Sequence, residues 1–249
     1  MMLQKTNDVV PLQFAYPCCG TCDLRPVCPA RLAAHKKRPS FVTDYNFPLS
    51  RGDHLYRQGD PVKALYVVRS GSLKSCVSMP NGAHHVVRFH LPGDVVALDA
   101  LGCNDYPSSV QALETTGLCQ IATAALAEGG DAKTVLPAHL LKLASLQVVR
   151  EQRRALILSQ RDASERVALF LLQLSQRYSK RGLSRYEFTL NMSRREIASY
   201  LALTIETVSR MCTLFQSMGL IGFDHRRVRL LSLERLRKMA KAEHLWLVL

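Results

Sequence analysis

Between Gly52 and Ile121 the chain is cut into short β-prone stretches by glycine turns, and this pattern restricts the fold more than any other feature. The stretches are His54–Arg57, Ala64–Arg69, Leu73–Met79, His84–Leu91 and Val95–Leu98. Gly52-Asp53, Gly59-Asp60, Gly71, Asn81-Gly82 and Gly93-Asp94 punctuate them. Glycine turns a chain sharply without steric cost, so strands this short and evenly spaced double back as an antiparallel roll or barrel. The pattern continues through Ser109–Ile121.

The periodicity then changes. From Pro137 to about Gln160 runs a breaker-free helical pattern whose Leu141, Ala144, Val148, Glu151, Ala155 and Leu158 recur at alternating spacings of three and four. All but Glu151 are apolar. Such a seam suits a second copy of the same helix, with packing on the chain's own roll as the plainer alternative. In a parallel symmetric pair the two Glu151 carboxylates face each other across apolar surface and weaken association, with Arg150 and Arg154 flanking them. A further amphipathic helix follows Asp162, carries Val167, Phe170, Leu171 and Leu174 on one face, and ends at Gly182.

Next comes a tight two-helix unit. Ser193-x-x-Glu196 is a capping box that opens a helix to about Leu201, and Ala202-Leu203 forms the turn. Thr204 caps a second helix to about Gln216, with Ile205, Val208, Cys212 and Phe215 on its apolar stripe. Glu206, Ser209, Arg210 and Thr213 fall on the opposite face. This is the arrangement of a helix-turn-helix, whose second helix enters the DNA major groove. Ser193 and Arg194 begin the first helix, close enough to join Thr204 among the DNA-contacting candidates. Arg226, Arg227 and Arg229 in the following β-prone stretch suit a basic wing on phosphates. An Arg grips guanine by two hydrogen bonds, and a Glu accepts from the paired cytosine. A solvated helix surface is the bland reading of these side chains. The preceding helix, the wing and a formal net charge of +13 over 249 residues favour a polyanionic partner instead.

Residues 1–50 read as irregular and rich in Cys, Pro and basic side chains, with a helix-compatible run at Arg31–Arg38. They contain Cys19-x2-Cys22-x5-Cys28, a chelating thiolate triplet one ligand short of a tetrahedral set. Zinc sites usually show two such pairs, whereas iron–sulfur clusters tolerate uneven spacing and one remote cysteine. Cys212 and Cys76 read as small hydrophobes, which leaves Cys103 and Cys119 as remote candidates, while Cys18 competes with its neighbour Cys19. His84, His85 and His90 raise haem ligation but read as surface residues. No signal sequence and no membrane-spanning run is evident, so the chain is expected in the cytoplasm. Nothing resembles a phosphate-binding loop or a nucleophile elbow, so no enzyme is expected.

With Gly93-Asp94-Val95-Val96-Ala97-Leu98-Asp99-Ala100, Gln111-Ala112-Leu113-Glu114-Thr115 ahead of Cys119, and Ile205-Glu206-Thr207-Val208-Ser209-Arg210, the chain resembles the FNR branch of the CRP/FNR bacterial transcription regulators over almost its whole length. The resemblance implies an α+β protein in four parts. These are an N-terminal cluster-binding segment (1–50), a cyclic-nucleotide-binding-like β-roll (51–136), a dimerisation helix (137–160) and a winged helix-turn-helix (161–249). It implies an oxygen-labile 4Fe–4S cluster on Cys19, Cys22, Cys28 and Cys119, with no role for Cys103. It further implies a homodimer that binds double-stranded DNA at TTGAT-like inverted repeats through Glu206, Ser209 and Arg210, and that contacts RNA polymerase to control anaerobic genes. The polymerase-contacting turn of that family is usually polar or acidic, whereas here it reads Met79-Pro80-Asn81-Gly82-Ala83. Cyclic-nucleotide receptors of the same fold hold their ligand with a Glu and an Arg–Ser pair. Leu98, Ser108 and Ser109 stand at those positions, and an anionic phosphate without its arginine loses its main partner. The alternative function is a regulator of the same fold that uses its cysteines for zinc or a thiol–disulfide switch.

Overall fold

A computed structural model describes residues 22, 44–123 and 135–241. Within them β1 (Asp44–Leu49), β2 (His54–Tyr56), β3 (Ala64–Ser70), β4 (Leu73–Ser78), β5 (His84–His90), β6 (Val95–Val96), β7 (Ser109–Ala112) and β8 (Thr116–Ala122) form the roll. Two four-stranded antiparallel sheets, β1-β8-β3-β6 and β2-β7-β4-β5, enclose Leu65, Val68, Leu73, Val96, Val110 and Leu118. Gly71 has φ +78°, and a Cβ there would lie 2.5 Å from the Thr115 carbonyl oxygen. Only glycine therefore lets β3 turn into β4 beside the strand that follows Thr115.

Helix α1 (Val135–Gln160) leaves the roll, and Arg161-Asp162 breaks it from α2 (Ala163–Lys180). Asp162 caps α2 by accepting the Glu165 N–H at 2.9 Å. β9 (Glu187–Thr189), α3 (Arg194–Leu201), α4 (Ile205–Ser217), β10 (Ile221–Asp224), β11 (Arg227–Leu230) and α5 (Leu233–Met239) complete the described chain, with β9, β10 and β11 in one sheet.

The roll and the C-terminal helical unit are welded together rather than strung on a linker. One apolar cluster runs from Val86, Phe89, Leu91 and Leu113 of the roll into Phe170, Ile197, Val208 and Phe215. Around it, Lys74 Nζ meets Glu196 Oε1 at 2.6 Å. The Val86 N–H donates to Ser199 Oγ at 2.9 Å, and Asn191 Nδ2 donates to Glu114 Oε1 at 2.6 Å. Asp94, in the β5–β6 turn, receives both Arg177 of α2 and Arg181, the residue that follows α2, the latter at 2.5 Å.

Several expectations need correction. Residues 44–49 fall in the segment read as irregular, yet they form β1, which pairs along β8 with Phe47 opposite Leu118. Asn46 and Pro48, weak strand formers, hid it. Ser109–Ile121 is two strands, β7 and β8, divided at Leu113–Thr115. β9 and α5 had no clear sequence signal. His84 and His85 are exposed, but His90 is only 4% exposed, with Nε2 2.7 Å from Ser75 Oγ. Burial holds its pKa down to about 3, so the ring is neutral. The run at Arg31–Arg38 lies outside the described residues.

Candidate functional site

The reading helix is built as its sequence dictates. Ser193 Oγ accepts the Glu196 N–H at 3.2 Å while the Ser193 N–H donates to Glu196 Oε2 at 2.6 Å, a complete capping box. Burial opposes ionisation of Glu196, but Lys74 and Ser193 outweigh it and keep the carboxyl charged. Ala202 takes φ +51° to turn the chain, and Thr204 Oγ1 then caps α4 by accepting the Thr207 N–H at 3.1 Å. Val208, Cys212 and Phe215 are buried, which fixes the helix by one face. Ile205 departs from the expected stripe and is 36% exposed. Burial raises the Cys212 thiol pKa, which suits an inert core residue.

That anchoring leaves Glu206, Ser209, Arg210 and Thr213 exposed together on the free face of α4. The Glu206 carboxyl is held below its usual pKa by its own backbone N–H and by Thr204, so it is a ready acceptor at neutral pH. Arg210 Nη2 lies 3.4 Å from Thr207 Oγ1, one turn back. Arg194 lies over the Phe223 ring at 4.4 Å, so it ties α3 to the wing. Arg226, Arg227 and Arg229 are exposed on the wing, and Arg227 Nε pairs with Glu187 at 2.7 Å.

Of the four predicted thiolates, Cys22 and Cys119 are described. Both are half-buried and pack against one apolar cluster of the roll, which also takes in Leu140 and Leu143 of α1. Cys119 sits in β8 opposite Val67 of β3. Cys103 is exposed, with Sγ 3.7 Å from the Asp99 carbonyl oxygen. Cys76 is half-buried in β4 with its thiol pKa raised by burial. Cys19 and Cys28 lie outside the described residues, among which no set of three or more metal-ligating side chains converges. Cys22 and Cys119 are soft thiol donors of the type iron–sulfur clusters use, and both are half-buried against apolar side chains.

Comparison with known proteins agrees with this architecture. Residues 165–239 match the model of the Crp-like helix-turn-helix domain, and 47–129 that of the cyclic nucleotide-binding domain. The transcriptional activator protein anr of Pseudomonas aeruginosa is 39% identical over 86% of this chain and 88% of its own. The fumarate and nitrate reduction regulatory protein of Escherichia coli K12 is 34% identical over 89% of this chain and 90% of its own. The chain belongs to the FNR-type branch of the CRP/FNR transcription regulators. Among solved structures, FixK2 of Bradyrhizobium japonicum superposes with a TM-score of 0.72 at 27% identity, covering 81% of this chain and 98% of that one. These relatives of the regulator are not enzymes, and its helix-turn-helix domain is a DNA-binding one. No helix among the described residues is long and apolar enough to cross a membrane.

The predicted seam of this regulator divides in a telling way. Leu141 and Val148 are 69% and 56% exposed, Ala155 is exposed, and Ala144 and Leu158 are half-buried. α1 turns Leu140 and Ile157 inward instead. Glu151 receives Arg88 of β5 at 2.5 Å and Arg154 at 3.5 Å. Arg154 was foreseen as a flank, whereas Arg88 was not. Sixty-three residues separate it from Glu151, and only the folded β5 brings them together. The Asp94 pair with Arg177 and Arg181 was missed in the same way, although two arginines one helical turn apart carried a faint signal.

Proposed function

We propose that this protein is an oxygen-responsive, cytoplasmic transcription regulator in which a 4Fe–4S cluster on Cys19, Cys22, Cys28 and Cys119 favours a DNA-binding homodimer. The observation that carries the reading is that Cys22 and Cys119, far apart in the sequence, each pack against the same apolar cluster of the roll as Leu143 of α1, a cluster that includes Leu140. When bound, the cluster supplies an oxygen-labile cross-link between the N-terminal segment and the roll. The chain's own residues do the rest. Leu141, Ala144, Val148, Ala155 and Leu158 offer the second α1 an apolar stripe, and Glu151 opposes pairing to a degree set by Arg88 and Arg154. Pairing then spaces two α4 helices for successive major-groove turns, about 34–36 Å apart. Glu206, Ser209 and Arg210 read TTGAT-like half-sites, with Thr204, Thr213, Ser193 and Arg194 beside them. Because only the dimer fits an inverted repeat, cluster, dimer and DNA reinforce one another.

Ser109 Oγ is engaged by the Gln58 N–H at 2.9 Å, and Ser108 is buried beside Tyr56, which supports a roll interior committed to packing rather than to a cyclic nucleotide. RNA polymerase contact is part of the proposal, and the exposed hairpin tip at Met79–Ala83 gives it an apolar-leaning surface to test. The deciding experiment measures iron, visible absorbance and DNA binding on one anaerobic sample before and after air. A brown, iron-containing protein that bleaches and releases DNA supports the reading, and zinc in place of iron overturns it.

Two variants test the parts. Arg210→Ala and Glu206→Ala are each expected to cost about 1–3 kcal/mol on the cognate repeat. Fluorescence anisotropy at fixed salt should show little change on a scrambled duplex, and an equal loss on both duplexes would mean phosphate rather than base contact. Glu151→Ala is expected to give dimers and DNA binding in air, while Arg88→Gln, which strips the carboxylate of its main partner, should weaken pairing. If size-exclusion and gel-shift assays move both variants in the same direction, repulsion at Glu151 is not what sets association.

A further inference from the structure

Outside the roll interior and away from the reading face, a cleft of about 320 Å³ opens between α1, α2 and the β5–β6 turn. Its lining carries eight cationic side chains and two carboxylates. Arg88, Arg154, Arg177 and Arg181 are recessed, with side chains 18%, 22%, 30% and 10% exposed. Arg150, Arg153, Arg166 and Lys180 complete the cationic lining. Asp94 and Glu151 each sit between two of the recessed arginines. Arg166 spends its guanidinium on the carbonyls of Leu158, Arg161, Leu201 and Ala202, which satisfy hydrogen bonds without cancelling charge. Concentrating like charges in a part-buried cleft is unfavourable unless an anion offsets it. Phe89 and Tyr200 line one wall, with ring centroids 5.1 Å apart and planes inclined by 51°, and the Arg154 guanidinium lies over the Tyr200 ring at 4.4 Å.

We propose that this cleft binds a polyphosphate anion of the nucleoside di- or triphosphate class, and thereby bridges α1, α2 and the roll. Arg177, Arg181 and Arg154 likewise donate to backbone carbonyls as well as to Asp94 or Glu151, so the excess positive charge of the lining, spread over separate elements, is what suits a chain of phosphates better than a single carboxylate. The recessed position of four of the arginines favours a small ligand over the DNA backbone, which cannot enter. The volume falls at the lower end of the range for small-molecule sites. Leu141, Ala144, Val148 and Ala155 of the pairing stripe do not line the cleft, whereas Glu151 and Leu158 do, so pairing through α1 borders the cleft at those two residues. The proposal does not depend on the iron–sulfur reading.

The test is calorimetric titration of the full chain with ATP and, separately, with pyrophosphate. Saturable binding of one anion per chain is expected from at least one of them. ATP binding far tighter than pyrophosphate assigns part of the lining to the nucleoside, whereas equal affinities assign the site to the phosphates alone. Arg150→Gln combined with Lys180→Gln should weaken binding at least about tenfold, since both remove a charged hydrogen-bond donor from the lining. Gln147→Glu, which adds a carboxylate to the lining without removing a cation, should weaken it as well. Arg210→Ala should leave it unchanged. The proposal falls if neither probe saturates, if the double variant and Gln147→Glu both bind like the parent, or if Arg210→Ala abolishes binding and so moves the anion to the reading helix.

Discussion

Cys119→Ser protein, prepared without oxygen, is expected to emerge without visible iron–sulfur absorbance and with its DNA affinity fallen to the non-specific level, roughly a thousandfold or more. A hydroxyl at the centre of β8 is a poor soft-metal ligand, so the loss follows from donor chemistry rather than from a damaged fold. Cys119 is half-buried and nearly isosteric with serine, and melting of the air-exposed variant should track the parent. Cys103→Ser is the matched control. Its thiol is exposed on the turn after the Leu98–Ala100 helical turn, and the variant should keep both iron and DNA binding. Iron retained by Cys119→Ser and lost from Cys103→Ser would reassign the fourth ligand.

The second large effect is expected at Asp94. Asp94→Asn keeps the shape but leaves Arg177 and Arg181 facing a neutral amide at the junction of roll and reader. Breaking one partner of a buried pair costs about 3–5 kcal/mol, which for a chain of this size lowers the melting midpoint by roughly 10 °C. The pH dependence gives an independent signature. Burial pushes the Asp94 pKa up, yet the two arginines more than reverse this and hold it at about 2. The unfolded value is about 3.9. Because the folded pKa is the lower one, the contribution is complete above about pH 4 and disappears as pH falls toward 2. The parent should therefore lose stability across that window by about 2–3 kcal/mol more than Asp94→Asn does. Identical acid limbs for the two proteins, followed by circular dichroism, would show that the pair contributes nothing to the junction.

The parts of this molecule that were legible in the sequence are those whose cause is local. Glycine turns separate strands, Ser193 and Glu196 close a capping box, and Val208, Cys212 and Phe215 repeat at helical spacing, all within a few residues of one another. β1 escaped notice because its Pro and Asn are tolerated only where β8 supplies the partner strand. His90 escaped because its strand does not alternate, since reader and roll cover β5 from both sides at its C-terminal end. Arg88 with Glu151, and Asp94 with Arg177, lie 63 and 83 residues apart, and only tertiary packing makes them pairs. For the candidate metal site, spacing selected a triplet and resemblance supplied Cys119. The structure adds that Cys22 and Cys119 are both half-buried against the apolar cluster of the roll.

The apolar cluster that joins Val86, Phe89, Leu91 and Leu113 to the helix-turn-helix bears on how such proteins are assembled and recombined. The helix-turn-helix half finishes its own interior with side chains owned by the roll. The two modules are therefore not interchangeable cassettes. A chimera that grafts this DNA-binding half onto another sensor inherits the recognition residues but not the wall they lean on, unless the host strand offers equivalent side chains at the β5 positions. Residues of the roll that lie away from the free face of α4 thus have their identities fixed jointly by the two modules they join.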